Sequence, residues 1–228
     1  MFNGSMVALV TPMAIDGKVD LVALATLIEW HLAEGSDALV VVGTTGEAPT
    51  LEPEEQLAVV RETVRVVRGR VPVIAGTGSN ATRHSVLATR AAKAVGADAA
   101  LVVVPYYNRP TQDGMFQHFS TIAADGGLPV ILYNVPGRTV ADLLPETAVR
   151  LSRVKGIVGI KEATGEVGWV AAVLAGARQG FEVYSGDDAT ARAAILAGAR
   201  GVISVTANLV PGAMHRMCAA ALAGPGMM

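Results

Sequence analysis

A repeated junction constrains the fold more than any other feature of the chain. Glu34-Gly-Ser-Asp-Ala-Leu-Val-Val-Val-Gly43, Val95-Gly-Ala-Asp-Ala-Ala-Leu-Val-Val-Val-Pro105 and Ala197-Gly-Ala-Arg-Gly-Val-Ile-Ser-Val205 each read as a helix end, a glycine cap and a strand. The strands are apolar, β-branched runs without polar alternation, as parallel strands buried on both faces require. Helices must then cover both faces of a sheet or the outside of a barrel.

Eight such runs lie near 6–10, 38–42, 72–75, 100–104, 129–133, 157–160, 182–185 and 202–205. Helical patterns separate them. Asp20 can cap a helix with Leu21, Leu24, Leu27, Ile28 and Leu32 on one face, closed by Gly35. A second is expected from Thr50 to about Arg68, and others after Asn80, Thr111, Leu144, Thr164, Asp187 and Asn208. Eight strands alternating with helices over 228 residues is the arithmetic of an α/β protein of the (β/α)8 TIM-barrel kind. A doubly wound sheet has fewer strands and a nucleotide fingerprint, whereas Gly76-Thr-Gly78 lacks the third glycine. No linker divides the chain, so residues 1–228 are read as one barrel domain. Its last helix starts near Pro211 and breaks at Gly224-Pro-Gly226, and is expected to be incomplete.

Composition narrows the function. With 51% hydrophobic and 17% charged residues the chain can bury a large core. Net charge is −2 with scattered basic residues, which gives no footprint for nucleic acid or an anionic membrane. No apolar run approaches the length of a membrane span, and Phe2-Asn-Gly4 begins no signal-peptide pattern, so the expected compartment is the cytoplasm. Lone Cys218 reads as a packed thiol, and Trp30 and Trp169 as packing residues. His31, His84, His118 and His215 fall in helix patterns with no HxH or HExxH spacing, so no metal site is expected.

In a (β/α)8 barrel the reactive groups finish the strands. Lys161 ends the apolar stretch Gly156-Ile-Val-Gly-Ile160 and should point into the mouth, where desolvation favours a neutral, nucleophilic amine able to form an imine. Position alone leaves open a strand-end lysine paired with Glu162. Imine chemistry moves protons, and Tyr133 ends the neighbouring strand within reach of Lys161. Thr44 and Tyr107, ending the second and fourth strands, would extend a hydroxyl chain from Tyr133 toward solvent. Gly43-Thr-Thr-Gly46 offers N–H groups and hydroxyls to a carboxylate, or is an ordinary turn. Arg138, in Pro136-Gly-Arg-Thr139, can grip a second carboxylate in bidentate fashion, or is a surface arginine.

Together these motifs resemble the dihydrodipicolinate synthase family of pyruvate-dependent class I aldolases. The resemblance runs through Gly43-Thr-Thr-Gly-Glu47, Val73-Ile-Ala-Gly-Thr-Gly78, Pro105-Tyr-Tyr-Asn-Arg-Pro110, Tyr133-Asn-Val-Pro-Gly-Arg-Thr139, Gly159-Ile-Lys-Glu-Ala163, Ser185-Gly-Asp-Asp188 and Gly201-Val-Ile-Ser-Val205. It implies that pyruvate forms a Schiff base with Lys161 and that the derived enamine attacks L-aspartate 4-semialdehyde, giving a heterocycle for diaminopimelate and lysine synthesis. It implies Tyr133, Thr44 and Tyr107 as a proton relay, Tyr107 acting in a neighbouring subunit's site of a homotetramer. Thr45 and the Ile203 backbone would hold pyruvate, and Arg138 the carboxylate of the semialdehyde. No cofactor beyond the covalent imine is implied.

The family's sialic-acid and sugar-acid lyase relatives generally place other residues where Arg138 stands, which favours the short amino-acid aldehyde. The alternatives are a related Schiff-base lyase on another 2-keto acid and a catalytically silent, truncated barrel. Feedback-inhibited relatives carry an acidic residue and histidines in a lysine pocket; here Asn80 and Tyr106 match, but His84, Pro53 and Gln56 depart. Weak or absent inhibition by L-lysine is therefore expected. Relatives also continue into C-terminal helices that this chain is expected to lack.

Overall fold

The computed structural model describes residues 2–224. Eight parallel strands close into a barrel in chain order: β1 (Gly4–Ala8), β2 (Ala38–Val41), β3 (Val73–Gly76), β4 (Ala99–Val103), β5 (Val130–Asn134), β6 (Ile157–Glu162), β7 (Glu182–Ser185) and β8 (Gly201–Ser204). Helices α1 (Leu21–Ala33), α2 (Pro53–Val67), α3 (Thr82–Ala94) and α4 (Gln112–Asp125) follow the first four strands. A single turn, α5 (Pro136–Thr139), precedes α6 (Pro145–Ser152), and α7 (Val167–Gly176), α8 (Ala191–Leu196) and α9 (Pro211–Ala223) complete the shell. The expected (β/α)8 barrel is the observed fold. No helix among the described residues is long and apolar enough to cross a membrane.

Alternation along the strands sorts the core into two layers. Met6, Val40, Ile74, Leu101, Ile131, Tyr133, Tyr184 and Ile203 fill the barrel interior. Their neighbours Val7, Leu39, Val41, Leu132, Ile160 and Val183 pack outward against helix residues such as Leu24, Ile28, Phe119 and Trp169. Both layers are apolar, which is why the strands read as unbroken hydrophobic runs.

Several boundaries differ from the sequence reading. β1 starts two residues before the expected run because Gly4 joins the ladder opposite Gly201. A Cβ on Gly201 would lie 2.1 Å from the Gly4 carbonyl oxygen, so the barrel closes there only through glycine. The second helix begins at Pro53, not Thr50, since proline suits the first helical position and the Glu52 N–H is taken by the Glu55 side chain at 2.9 Å. The Asp20 cap forms as expected, its carboxylate accepting from the N–H groups of Val22 and Ala23. α9 starts at Pro211 and ends before Gly224; the rest of the expected break, through Gly226, lies outside the described residues. Trp169 is packed, while Trp30 packs only in part: it is 38% exposed, its ring edge-on to the buried His31.

Candidate active site

Parallel pairing in register sets Tyr133 opposite Lys161 and Asn134 opposite Glu162 at the C-terminal ends of β5 and β6. Period-two alternation then sends Tyr133 and Lys161 into the mouth and Asn134 and Glu162 outward. The Lys161 nitrogen lies over the Tyr133 ring, 4.5 Å from its centre. Both side chains are buried, Lys161 only 5% exposed. Burial holds the amine well below its ordinary 10.5, at about 8; the Asp188 carboxylate opposes this and the Arg138 guanidinium adds to it. Burial also pushes the Tyr133 phenol up, against the nearby Thr44 hydroxyl and the Arg138 charge, which draw it down.

Glu162 is not the partner of Lys161. On the outer face its carboxylate accepts from Asn134 Nδ2 at 3.0 Å and the Thr164 N–H at 2.6 Å. Asn134 also donates to Asp142 at 2.8 Å and accepts from the Leu143 N–H at 3.0 Å. This buried network ties the segment after α5 to β6, and burial raises the Glu162 carboxyl. Among the described residues no carboxylate lies within salt-bridge distance of the amine, so its low basicity follows from its surroundings.

The remaining expected residues divide. Thr44 and Thr45 lie in the turn after β2, held by the Glu47 N–H to the Thr44 carbonyl at 3.1 Å and the Thr11 hydroxyl to the Gly46 carbonyl at 2.7 Å. That turn opens on Val42 at φ +55°, a left-handed conformation that a β-branched side chain adopts only under strain, of about 1–3 kcal/mol. Gly76 permits it, because a Cβ there would fall 2.0 Å from the Val42 carbonyl oxygen. Arg138 is exposed on α5, within electrostatic reach of both Lys161 and Tyr133. Ile203 is fully buried in β8.

Tyr107 is the exception. At φ +72° its backbone turns left-handed and it is 88% exposed, and no hydrogen bond joins it to Tyr133 or Thr44 among the described residues. Within one chain the hydroxyl chain therefore stops at Thr44. Asn80 and Tyr106 do meet, through the Asn80 side-chain amide and the Tyr106 carbonyl at 3.3 Å, while His84 is exposed in the first turn of α3.

Sequence reasoning missed Gly186. A Cβ there would lie 2.8 Å from Lys161 Cε and 2.7 Å from the Ala163 Cβ, so the chain after β7 runs directly over the lysine stem. The only signal was its place in Ser185-Gly-Asp-Asp188.

A (β/α)8 barrel with a desolvated amine over a tyrosine ring at its mouth has the make-up of a lyase that works through an imine. A model of the dihydrodipicolinate synthetase family matches residues 1–226. A 4-hydroxy-tetrahydrodipicolinate synthase of Acidithiobacillus ferrooxidans is 62% identical over 98% of this chain and 77% of its own length. Among solved structures, the chloride-inhibited dihydrodipicolinate synthase of Acinetobacter baumannii, complexed with pyruvate, superimposes with a TM-score of 0.96 at 54% identity, over 98% of this chain and 77% of that one. A monomeric dihydrodipicolinate synthase variant gives 0.95 at 40% identity, over 98% and 75%. The chain belongs to the dihydrodipicolinate synthetase family.

Proposed function

We propose that this protein is a 4-hydroxy-tetrahydrodipicolinate synthase, condensing pyruvate with L-aspartate 4-semialdehyde on Lys161. Neutral Lys161 attacks the keto carbon of pyruvate, and the carbinolamine loses water to give the protonated imine. Loss of a methyl proton yields the enamine, whose carbon bonds to the aldehyde carbon of the semialdehyde while the new alkoxide takes a proton. The amine of the semialdehyde then attacks the imine carbon, closing the ring and releasing Lys161.

Tyr133 carries the protons, since its hydroxyl belongs to the ring beneath the reacting nitrogen and reaches Thr44. Thr45 and the Ile203 backbone hold pyruvate, and Arg138 holds the carboxylate of the semialdehyde in a bidentate grip. Tyr107, exposed and left-handed, completes the relay in the site of a second copy within a homotetramer. The amine is the chain's own, so the scheme uses no cofactor. The product would feed diaminopimelate and lysine synthesis in the cytoplasm.

The carrying observation is the buried amine of Lys161 at 4.5 Å from the Tyr133 ring, in a chain so similar to synthases of this family. Turnover of pyruvate with L-aspartate 4-semialdehyde tests it, beside N-acetylneuraminate and sugar acids. Activity confined to the latter would assign the chain to a related lyase.

A further inference from the structure

Asp188 follows β7 in the segment whose Gly186 presses on the stem of Lys161. Its two carboxylate oxygens differ sharply. Oδ2 accepts three hydrogen bonds, from the Val205 N–H at 3.0 Å, the Thr206 N–H at 2.9 Å and the Thr206 hydroxyl at 3.0 Å, and so clamps the end of β8. Oδ1 is buried and has no hydrogen-bond partner among the described residues. A buried carboxylate oxygen left unpartnered is costly, and a native fold that keeps one needs a reason. The neighbouring Asp187 needs none, because its carboxylate accepts from the Thr190 N–H and hydroxyl at 2.9 and 2.7 Å.

Among the described residues the ring or charge of three groups is felt at the Lys161 nitrogen, and the Asp188 charge is felt in turn by the buried Cys218 thiol of α9, which burial, Asp37 and Asp188 together push up. Tyr133 presents its ring from β5, Arg138 its cation from α5, and Asp188 the opposing negative charge from the segment after β7. Glu162 faces the opposite side of β6, and the Tyr184 hydroxyl, although Tyr184 pairs with Lys161, bonds the Phe2 carbonyl and Glu182 at the other end of the barrel. Arg138 opposes the cation that imine formation creates at Lys161; Asp188 is the group placed to support it.

We infer that Asp188 is a positioning residue for the imine: one oxygen fixes the end of β8 against the mouth, and the other supplies the negative charge that sustains the protonated imine nitrogen of Lys161. No bond to Asp188 forms or breaks, since it acts through the field at that nitrogen. The inference rests on the Schiff-base reading above. It extends that reading to a residue that touches neither the amine nor the phenol by any hydrogen bond.

Asp188→Asn keeps an oxygen to accept the clamp's hydrogen bonds and removes the charge. The pH dependence of kcat/KM for pyruvate and the yield of borohydride-trapped imine are the readouts. The acid limb should move to lower pH by about half a unit or more, because the amine loses its supporting charge, and kcat should fall about tenfold. Asp188→Glu should restore much of both. Thr206→Val removes one clamp bond without touching the charge and should leave the limb in place. Where the amide variant does not fold, Asp188→Ser gives the same readout. A folded, charge-free variant whose limb coincides with wild type overturns the inference. Wild-type protein that traps no imine at any pH overturns the Schiff-base reading instead.

Discussion

The Lys161 nitrogen lies 4.5 Å from the centre of the Tyr133 ring because the two residues are register partners on adjacent strands, pointing the same way. A ring face beneath an amine stabilises its charged form modestly, whereas full burial disfavours that form more strongly, and the balance here leaves the amine easily deprotonated. Tyr133→Phe keeps the ring and removes the phenol. It should lower kcat about 100-fold or more while Lys161 still forms the pyruvate imine, since proton transfer is lost and the nucleophile is not. Steady-state kinetics beside adduct mass spectrometry separate the two.

The depressed amine also predicts a pH dependence. kcat/KM for pyruvate should rise with pH and level off above about 8, where Lys161 is neutral. Stability carries the same signature. Unfolded lysine keeps its proton up to 10.5 and the folded amine only to about 8, so the unfolded state binds more protons between them and stability rises with pH through that window. Below about 8 the penalty is complete, and Lys161→Met should relieve about 3 kcal/mol of it at pH 7, the gain fading toward 10.5. Chemical denaturation at several pH values measures this.

The close approach of Gly186 to Lys161 Cε sets a steric test. Gly186→Ala brings a methyl within 2.7 Å of the Ala163 Cβ and 2.8 Å of Lys161 Cε, so the lysine stem must shift. A displacement of that size should lower kcat/KM for pyruvate about tenfold or more with the barrel intact by circular dichroism. Unchanged kinetics would mean that the stem is free to move.

The barrel was legible because doubly buried parallel strands leave apolar runs, and glycine caps mark where helices hand over to them. The strand-end residues Lys161, Tyr133 and Thr44 followed from counting those runs. What failed depended on pairs of residues distant in sequence. Gly4 lay outside the expected first run until Gly201 was opposite it, and the reach of Gly186 over Lys161 depends on how β6 and β7 pack. The left-handed backbone at the exposed Tyr107 has no residue-type signal, since tyrosine gives no hint of φ > 0. The pairing of Lys161 with Glu162 could have been rejected from sequence, because adjacent strand residues face opposite sides.

Asn134 carries a stability prediction. It is fully buried and bonds Asp142, Glu162 and the Leu143 N–H at once. Asn134→Leu leaves one buried oxygen of the Glu162 carboxylate, Oε2, and the Leu143 N–H without partners, which should cost about 3 kcal/mol and shift the urea midpoint accordingly. A near-neutral change would show that water replaces the amide there.

Lys161 is the nucleophile of the proposed chemistry. Incubation with pyruvate and borohydride, followed by peptide mass spectrometry, asks this directly. The expected result is a reduced pyruvate imine on the peptide containing Lys161 and none in Lys161→Ala. Absence of an adduct on Lys161 in the wild-type protein, or an equal yield from the alanine variant, would contradict it.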